Sequence, residues 1–147
     1  MNDLGSPELH ERCFGSLVAE AQRVVEEILQ QVKKCGWGEH ELFGIHLALE
    51  EAITNAMKHG NRWDPAKRVT VRWQASAERF SIEITDEGNG FDPDAVPDPT
   101  LDENLEQTSG RGLVLMRNFM NEVRYNARGN SVLMIKYREK TIQDEAS

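Results

Sequence analysis

The chain has 147 residues, with 17 Lys and Arg against 25 Asp and Glu, and its formal net charge is −8. This length predicts one domain, and the 39% hydrophobic content, with glycine added, is typical of a globular protein. No apolar run approaches the ~18–20 residues that cross a bilayer, and the acidic excess argues against binding to nucleic acid or to an anionic membrane. We therefore expect a soluble, cytoplasmic protein that binds neither.

The cysteine and histidine residues offer one candidate metal site. Two cysteines in a chain of this kind are expected to be reduced thiols. A zinc site can be drawn from His10, Cys13, Cys35 and His40, because His10 and Cys13 are one helical turn apart. The alternative is that Cys13 is one small apolar residue in a buried helical stripe, and the spacing of its neighbours favours this second interpretation.

Two amphipathic patterns open the chain. Ser6 and Pro7 resemble an N-cap followed by a first-turn proline, and a stripe with helical spacing then runs from Leu9 to Val32. A second helical pattern covers Glu39 to His59, with Gly60 positioned to take the left-handed conformation that ends many helices. The prediction is two consecutive helices at the start of the chain.

After these helices the apolar period changes to two. Alternation over residues 69–73 and 80–84 predicts a β-hairpin with one buried face. The segment 86–112 is rich in acidic residues, proline and glycine, and loops of this length are usually functional lids or disordered. A third helix is predicted from about Gly112 to Glu122, and Gly129-Asn130 predicts a two-residue turn between strands at 123–128 and 131–137.

The order of these elements predicts the fold class. Helices that segregate to one face of hairpin-connected strands form an α+β fold. We expect a two-layer α/β sandwich in which a largely antiparallel mixed sheet is covered on one face by about three helices.

The first segment that carries chemistry lies on the second predicted helix. Glu51, Asn55 and His59 step by four, so their side chains form one column along the edge of the apolar stripe. Many such columns are solvated polar faces. An Asn amide oxygen also suits Mg²⁺, and a neighbouring carboxylate can deprotonate a hydroxyl.

The second segment, Asp86-Glu87-Gly88-Asn89-Gly90, ends a predicted strand. Its spacing does not fit a calcium loop, a dinucleotide fingerprint or a lysine-containing phosphate loop. An acid at a strand end can accept a hydrogen bond from an exocyclic amine, and the glycines let backbone approach a flat ligand. The alternative is a tight turn.

The third segment, Gly110-Arg111-Gly112, opens a predicted helix. Exposed N–H groups at a helix N-terminus, together with an arginine, suit a phosphate group. The alternative is an ordinary capped helix start with flexible glycines.

In this order, the three segments resemble the N, G1 and G2 boxes of the Bergerat-fold, histidine-kinase-like ATPase superfamily. Within it, EEAITNAMKHGN, DEGNGFDP and GRGLVLMRNFMNEV are most similar to the anti-sigma-factor serine kinases of the RsbW and SpoIIAB type. The resemblance spans residues 42–137 and includes an ATP lid at about 92–109. It implies that residues 1–147 form a single ATPase domain.

The resemblance assigns roles to the residues of the first two boxes. Asp86 would bind the adenine amino group, and Gly88 and Gly90 would shape the adenine pocket. Asn55 would coordinate Mg²⁺, and Glu51 would act as the general base.

The resemblance also extends to the end of the chain. Gly110, Arg111 and Gly112 would close over the phosphates. Ser131 takes a position near the adenine-binding acid where relatives often carry threonine. His59 matches a frequent family residue of the nucleotide site, without an assigned role.

The function implied by the resemblance is that of a serine/threonine protein kinase that uses ATP and Mg²⁺. It would act as an anti-sigma factor, bind a sigma factor and phosphorylate a STAS-type anti-sigma-factor antagonist. The alternatives are a nonenzymatic ATP-binding regulatory module and a scaffold whose glycine segments are simple turns. Relatives usually begin with a strand that can contribute to dimerisation. Because Met1–Ser6 is too short and polar to predict one, a monomer and a homodimer both stay open.

Overall fold

The computed structural model describes residues 8–88 and 110–138; the predicted lid and Gly90 lie outside these segments. In chain order the elements are β1 (His10–Gly15), α1 (Val18–Lys34), α2 (Glu39–Asn55), a π-helical turn (Ala56–Gly60), β2 (Arg68–Ala75), β3 (Arg79–Asp86), α3 (Gly110–Phe119), β4 (Glu122–Tyr125) and β5 (Ser131–Tyr137). None of the helices in these segments is long and apolar enough to cross a membrane.

The described strands form one sheet in the order β1-β2-β3-β5-β4, and each neighbouring pair is antiparallel. The three helices pack on one face. Ile45, Leu49 and Ile53 of α2 are buried in the same core as Val71 of β2 and Ile84 of β3. Because side chains alternate along a strand, the even-numbered residues of β3 face these helices. The predicted α+β sandwich is confirmed.

The prediction of a helix from Leu9 is wrong, because the described chain begins with an edge strand. Leu9 and Leu17, which carried the helical pattern, are 57% and 48% exposed. His10–Gly15 pairs with Arg68–Trp73, and this pairing with a distant strand overrides the local spacing. The strand that relatives usually carry is therefore present, although it begins after Met1–Ser6.

The edge strand also changes the interpretation of Cys13. Its side chain is exposed rather than buried, and the Arg68 Nε lies 3.1 Å from its Sγ. Within residues 8–88 and 110–138, no group of three or more His, Cys, Asp and Glu side chains could hold a metal ion. The zinc site drawn from His10, Cys13, Cys35 and His40 is therefore not assembled.

The end of the second helix differs from the prediction. Regular α-helix stops at Asn55, and the next turn is π-helical, with the Asn61 N–H bonded to the Ala56 carbonyl at 2.8 Å. Gly60 does not take the left-handed conformation. Positive φ angles fall instead on Arg62 (53°) and Trp63 (60°).

The third helix and the last hairpin are present with shifted bounds. The helix begins at Gly110 and ends at Phe119. The first strand of the hairpin ends at Tyr125, so the connection is longer than the predicted two-residue turn. Asn126 closes this connection, because its Oδ1 accepts the N–H groups of Gly129 at 2.8 Å and Ser131 at 3.1 Å.

Candidate functional site

Asp86 ends β3 on the side of the sheet that faces the helices, and its side chain is almost completely enclosed, at 8% exposure. Its Oδ1 accepts the N–H of Gly88 at 2.8 Å. Among the described residues no hydrogen-bond donor reaches its Oδ2. One oxygen therefore holds the turn that follows the strand, and the other is available to a ligand.

Burial raises the pKa of the Asp86 carboxyl, because a charged group is poorly solvated at this position. The Gly88 N–H and the positive charges of Arg128 and Lys67 act in the opposite direction. A buried acid with a raised pKa is a candidate member of a functional site.

Two glycines enclose this carboxylate. A Cβ on Gly60 would lie 2.3 Å from Asp86 Oδ2, and a Cβ on Gly88 would lie 2.0 Å from the Gly60 carbonyl oxygen. Both distances are far inside van der Waals contact. The end of the π-helical turn therefore packs directly on the turn after β3, at a closeness that only glycine allows.

Asn61 holds this arrangement together. It is fully buried, and its Oδ1 accepts the N–H of Glu87 at 2.8 Å. Its Nδ2 donates to Ser16 Oγ at 3.0 Å and to the Arg68 carbonyl at 3.1 Å. The sequence interpretation missed Asn61, although a polar residue directly after the His59-Gly60 pair was a visible signal.

Replacing Asn61 with Ala is expected to destabilise the fold. The substitution removes the acceptor of the Glu87 N–H and the donor to Ser16 Oγ and the Arg68 carbonyl, and a buried polar group left without a partner costs about 1–3 kcal/mol. We expect a loss of about 2–4 kcal/mol and a melting temperature lower by roughly 6–15 °C. Thermal unfolding measures this loss of stability. The control is Asn118→Ala, at an exposed position on α3. Equal melting of both variants would contradict this role of Asn61.

The predicted column of Glu51, Asn55 and His59 does not lie on a single regular α-helix. Glu51 and Asn55 are half-buried on the last turns of α2, whereas His59 lies in the π-helical turn. Asn55 Nδ2 is buried and has no hydrogen-bond partner among the described residues. Burial and, second to it, the charge of Lys58 lower the pKa of His59, which favours the neutral imidazole.

Tyr125 is a second residue that the sequence interpretation missed. Burial raises the pKa of its hydroxyl to about 12. The side chain of Asn55 lowers this pKa, and the negative charges of Glu51 and Asp86 raise it further. Tyr125 pairs with Val132, which places it in the row that faces the helices. The Tyr125 hydroxyl thus interacts electrostatically with Asn55, Glu51 and Asp86.

Ser131 lies one strand away from Asp86 but points elsewhere. Its Oγ is 2.8 Å from Thr85 Oγ1, on the face of the sheet opposite the Asp86 carboxylate. Asn130 contacts Asp86 instead, because its carbonyl accepts the Asp86 N–H at 2.9 Å and its Nδ2 donates to the Asp86 carbonyl at 3.3 Å. The geometry does not support the expected nearness of the Ser131 hydroxyl to the acid.

Gly110, Arg111 and Gly112 form the first turn of α3. The first N–H groups of a helix lack partners within the helix and favour anions. The predicted glycine segment therefore does open a helix.

The residues of the site fit ATP and Mg²⁺. A half-open carboxylate enclosed by two glycines suits the amino edge of a flat base. The amide oxygen of Asn55 is a hard ligand of the type that Mg²⁺ prefers. One such side chain suffices, because Mg²⁺ is usually held by one or two protein groups together with substrate phosphates.

Comparisons with known proteins point to one family. The sequence model of the family described as "Histidine kinase-like ATPase domain" matches residues 16–136. Serine-protein kinase RsbW of Bacillus subtilis is 34% identical over 113 residues, which cover 71% of this chain and 69% of that protein. Serine-protein kinase RsbW of Listeria monocytogenes is 27% identical over 121 residues, which cover 77% of each chain.

A solved structure gives the same answer for the fold. The crystal structure of RsbU and RsbW domains from Mycobacterium tuberculosis superposes with a TM-score of 0.60 at 14% identity, covering 90% of this chain and 32% of that one. The family model and the two RsbW relatives confirm the resemblance to kinases of the RsbW type. With the family model matching most of its length, the chain belongs to the histidine kinase-like ATPase domain family.

Proposed function

We propose that this protein is an ATP-dependent serine/threonine protein kinase that acts as an anti-sigma factor and phosphorylates a STAS-type anti-sigma-factor antagonist. The observation that carries this proposal is the Asp86 carboxylate, enclosed by Gly60 and Gly88 and open at Oδ2. The similarity to proteins named serine-protein kinase supports the reaction type.

In the proposed reaction, Asp86 recognises the base of the nucleotide. Its Oδ2 accepts a hydrogen bond from the 6-amino group of adenine. Guanine carries a carbonyl oxygen at that position, so two acceptors would oppose each other and GTP would bind poorly. Gly88, and Gly90 by resemblance, leave room for the flat ring.

The phosphates would lie toward α3. The N-terminal turn at Gly110, Arg111 and Gly112 supplies donors, and Asn55 would hold the metal ion. Bound Mg²⁺ supplies neutralisation of phosphate charge, which a protein with a net charge of −8 does not provide through its overall field. Glu51 would accept the proton of the attacking serine hydroxyl as the phosphoryl group is transferred.

The organisation of the protein is part of the same proposal. We infer that residues 1–147 are one ATPase domain, that residues 92–109 form its lid, and that it acts in the cytoplasm on protein partners. His59 and Ser131 are retained as members of the nucleotide site in this proposal, Ser131 through its position beside Asn130.

Transfer of labelled phosphate from Mg-ATP to candidate STAS-type antagonists tests the kinase. We expect transfer by the wild type and a loss of about 10²-fold or more for Glu51→Gln, with ATP affinity retained, because general-base groups contribute about 10²–10⁴ to a rate. Glu78→Gln is the matched control, since it makes the same change at an exposed position between β2 and β3. Tight ATP binding without transfer to any antagonist would instead favour a nonenzymatic ATP-binding regulatory module.

A further inference from the structure

A concavity of about 530 Å³ lies between the two long helices. α1 contributes Val18, Val25 and Leu29, while Ile53 and Met57 line the opposite wall and Trp63 stands at its edge. Asp86, Gly60 and Gly88 are not part of the lining. This helix groove is therefore separate from the proposed nucleotide site.

Trp63 is held at the groove by an unfavourable backbone. Arg62 and Trp63 both have left-handed φ angles, 53° and 60°, a conformation that is strained for residues with a Cβ. The Trp63 N–H bonds to the Met57 carbonyl at 2.8 Å, which fixes the turn. The result is a tryptophan that is 44% exposed, in the same groove as Val18, which is 54% exposed.

The charged groups of the helix groove have one sign. Glu26 lies on the α1 wall, and Glu50 and His46 lie on the α2 wall, bonded to each other at 3.1 Å. Among the residues that the structure describes, neither lysine nor arginine lines this groove. An occupant that matches this surface combines apolar side chains with positive charges.

We propose that the helix groove binds an amphipathic helical segment of a partner protein, with aliphatic residues on one face and lysine or arginine at its flanks. Exposed apolar clusters with an aromatic anchor are typical of interaction surfaces, and a helix laid into an apolar groove is a recurring mode of recognition. A second copy of this chain is disfavoured, since it carries a net charge of −8. The proposal does not rest on the kinase assignment.

A synthetic helical peptide of about 16 residues, with Leu at helical spacing and Lys elsewhere, probes this binding. Trp37 and Trp73 are 3% and 1% exposed, so Trp63 is the solvent-accessible tryptophan. We expect a saturable blue shift of its emission and protection from acrylamide quenching. A peptide with Glu in place of Lys should produce neither effect. Equal binding of both peptides would overturn the proposal.

Two variants locate the binding site, with a fluorescein-labelled peptide and anisotropy as readout. Trp63→Gly removes the side chain and suits the left-handed backbone, so we expect unchanged or higher thermal stability and at least about tenfold weaker binding. Glu26→Lys/Glu50→Lys should weaken binding similarly.

The matched control is Glu78→Lys/Glu83→Lys, which changes the net charge equally at exposed positions outside the groove. We expect it to bind the peptide nearly as the wild type does. Wild-type affinity for Trp63→Gly, or equal losses for the two double variants, would refute docking in the helix groove. Self-association that shifts Trp63 emission without peptide would identify a second copy as the occupant, which also overturns the proposal.

Discussion

Asp86→Asn is expected to lose most of its ATP affinity while keeping the fold. Asn retains an Oδ1 that accepts the Gly88 N–H, but its amide nitrogen replaces the free acceptor with a donor, which faces the donor of adenine. A lost hydrogen bond to a charged group is worth about 1.5–3 kcal/mol, so the dissociation constant should rise about 10- to 150-fold. Calorimetric titration with Mg-ATP and Mg-GTP measures this change, and the preference for ATP should shrink.

The same variant is expected to be at least as stable as the wild type. Burial raises the pKa of folded Asp86 above its value of 3.8, so the ionised carboxylate costs stability at neutral pH. This free-energy cost decreases as the pH falls through the pKa that Asp86 has in the folded protein. It vanishes below the pKa that Asp86 has in the unfolded chain. The melting temperatures of Asp86→Asn and wild type should therefore converge on acidification. If Asp86→Asn bound ATP as tightly as the wild type, Asp86 would not form the adenine pocket.

Gly60→Ala is expected to abolish detectable ATP binding. The new Cβ would lie 2.3 Å from Asp86 Cγ and Oδ2, so either the carboxylate or the π-helical turn must move. Overpacking of this kind costs about 1–3 kcal/mol of folding stability, or roughly 3–10 °C in melting temperature. Thermal unfolding with and without Mg-ATP measures both effects. We expect no stabilisation by the nucleotide.

Gly38→Ala provides the matched control for Gly60→Ala. Gly38 precedes α2, and a Cβ there would meet no atom within 4 Å. Its ATP affinity should stay within about twofold of the wild type, with at most about 1 kcal/mol lost at the helix start. If Gly60→Ala bound ATP as tightly as Gly38→Ala, Gly60 would not enclose the nucleotide site.

The sequence predicted the parts of this molecule that follow from local pattern. The β2 and β3 alternation, the α2 stripe and the Asp86-to-Gly88 turn all appear where they were expected. β1 was misread because Leu9, Cys13 and Leu17 happen to fall at helical spacing. The pairing of His10–Gly15 with a strand more than fifty residues later leaves no local signal.

Residues of the candidate site could likewise be predicted only where a short stretch of sequence carries the signal. Asp86 and Gly88 could be proposed as site residues because strand ends and glycines are visible in a single segment. Asn61 and Tyr125 were missed because their importance arises from contacts among β1, β3 and α2. Gly60 was found for the wrong reason, as a helix-ending glycine, whereas the structure requires it for close packing on Asp86.

The placement of β1 beside β2 has a consequence for folding kinetics. β1, α1 and α2 precede β2 in the chain, yet β1 pairs with β2 and the helices bury their apolar faces on the sheet. Long-range pairing of this kind is slow to form, and the Asp86 pocket exists only after β3 has docked beneath Gly60. ATP therefore recognises the completed fold, and its binding should slow unfolding far more than it speeds refolding.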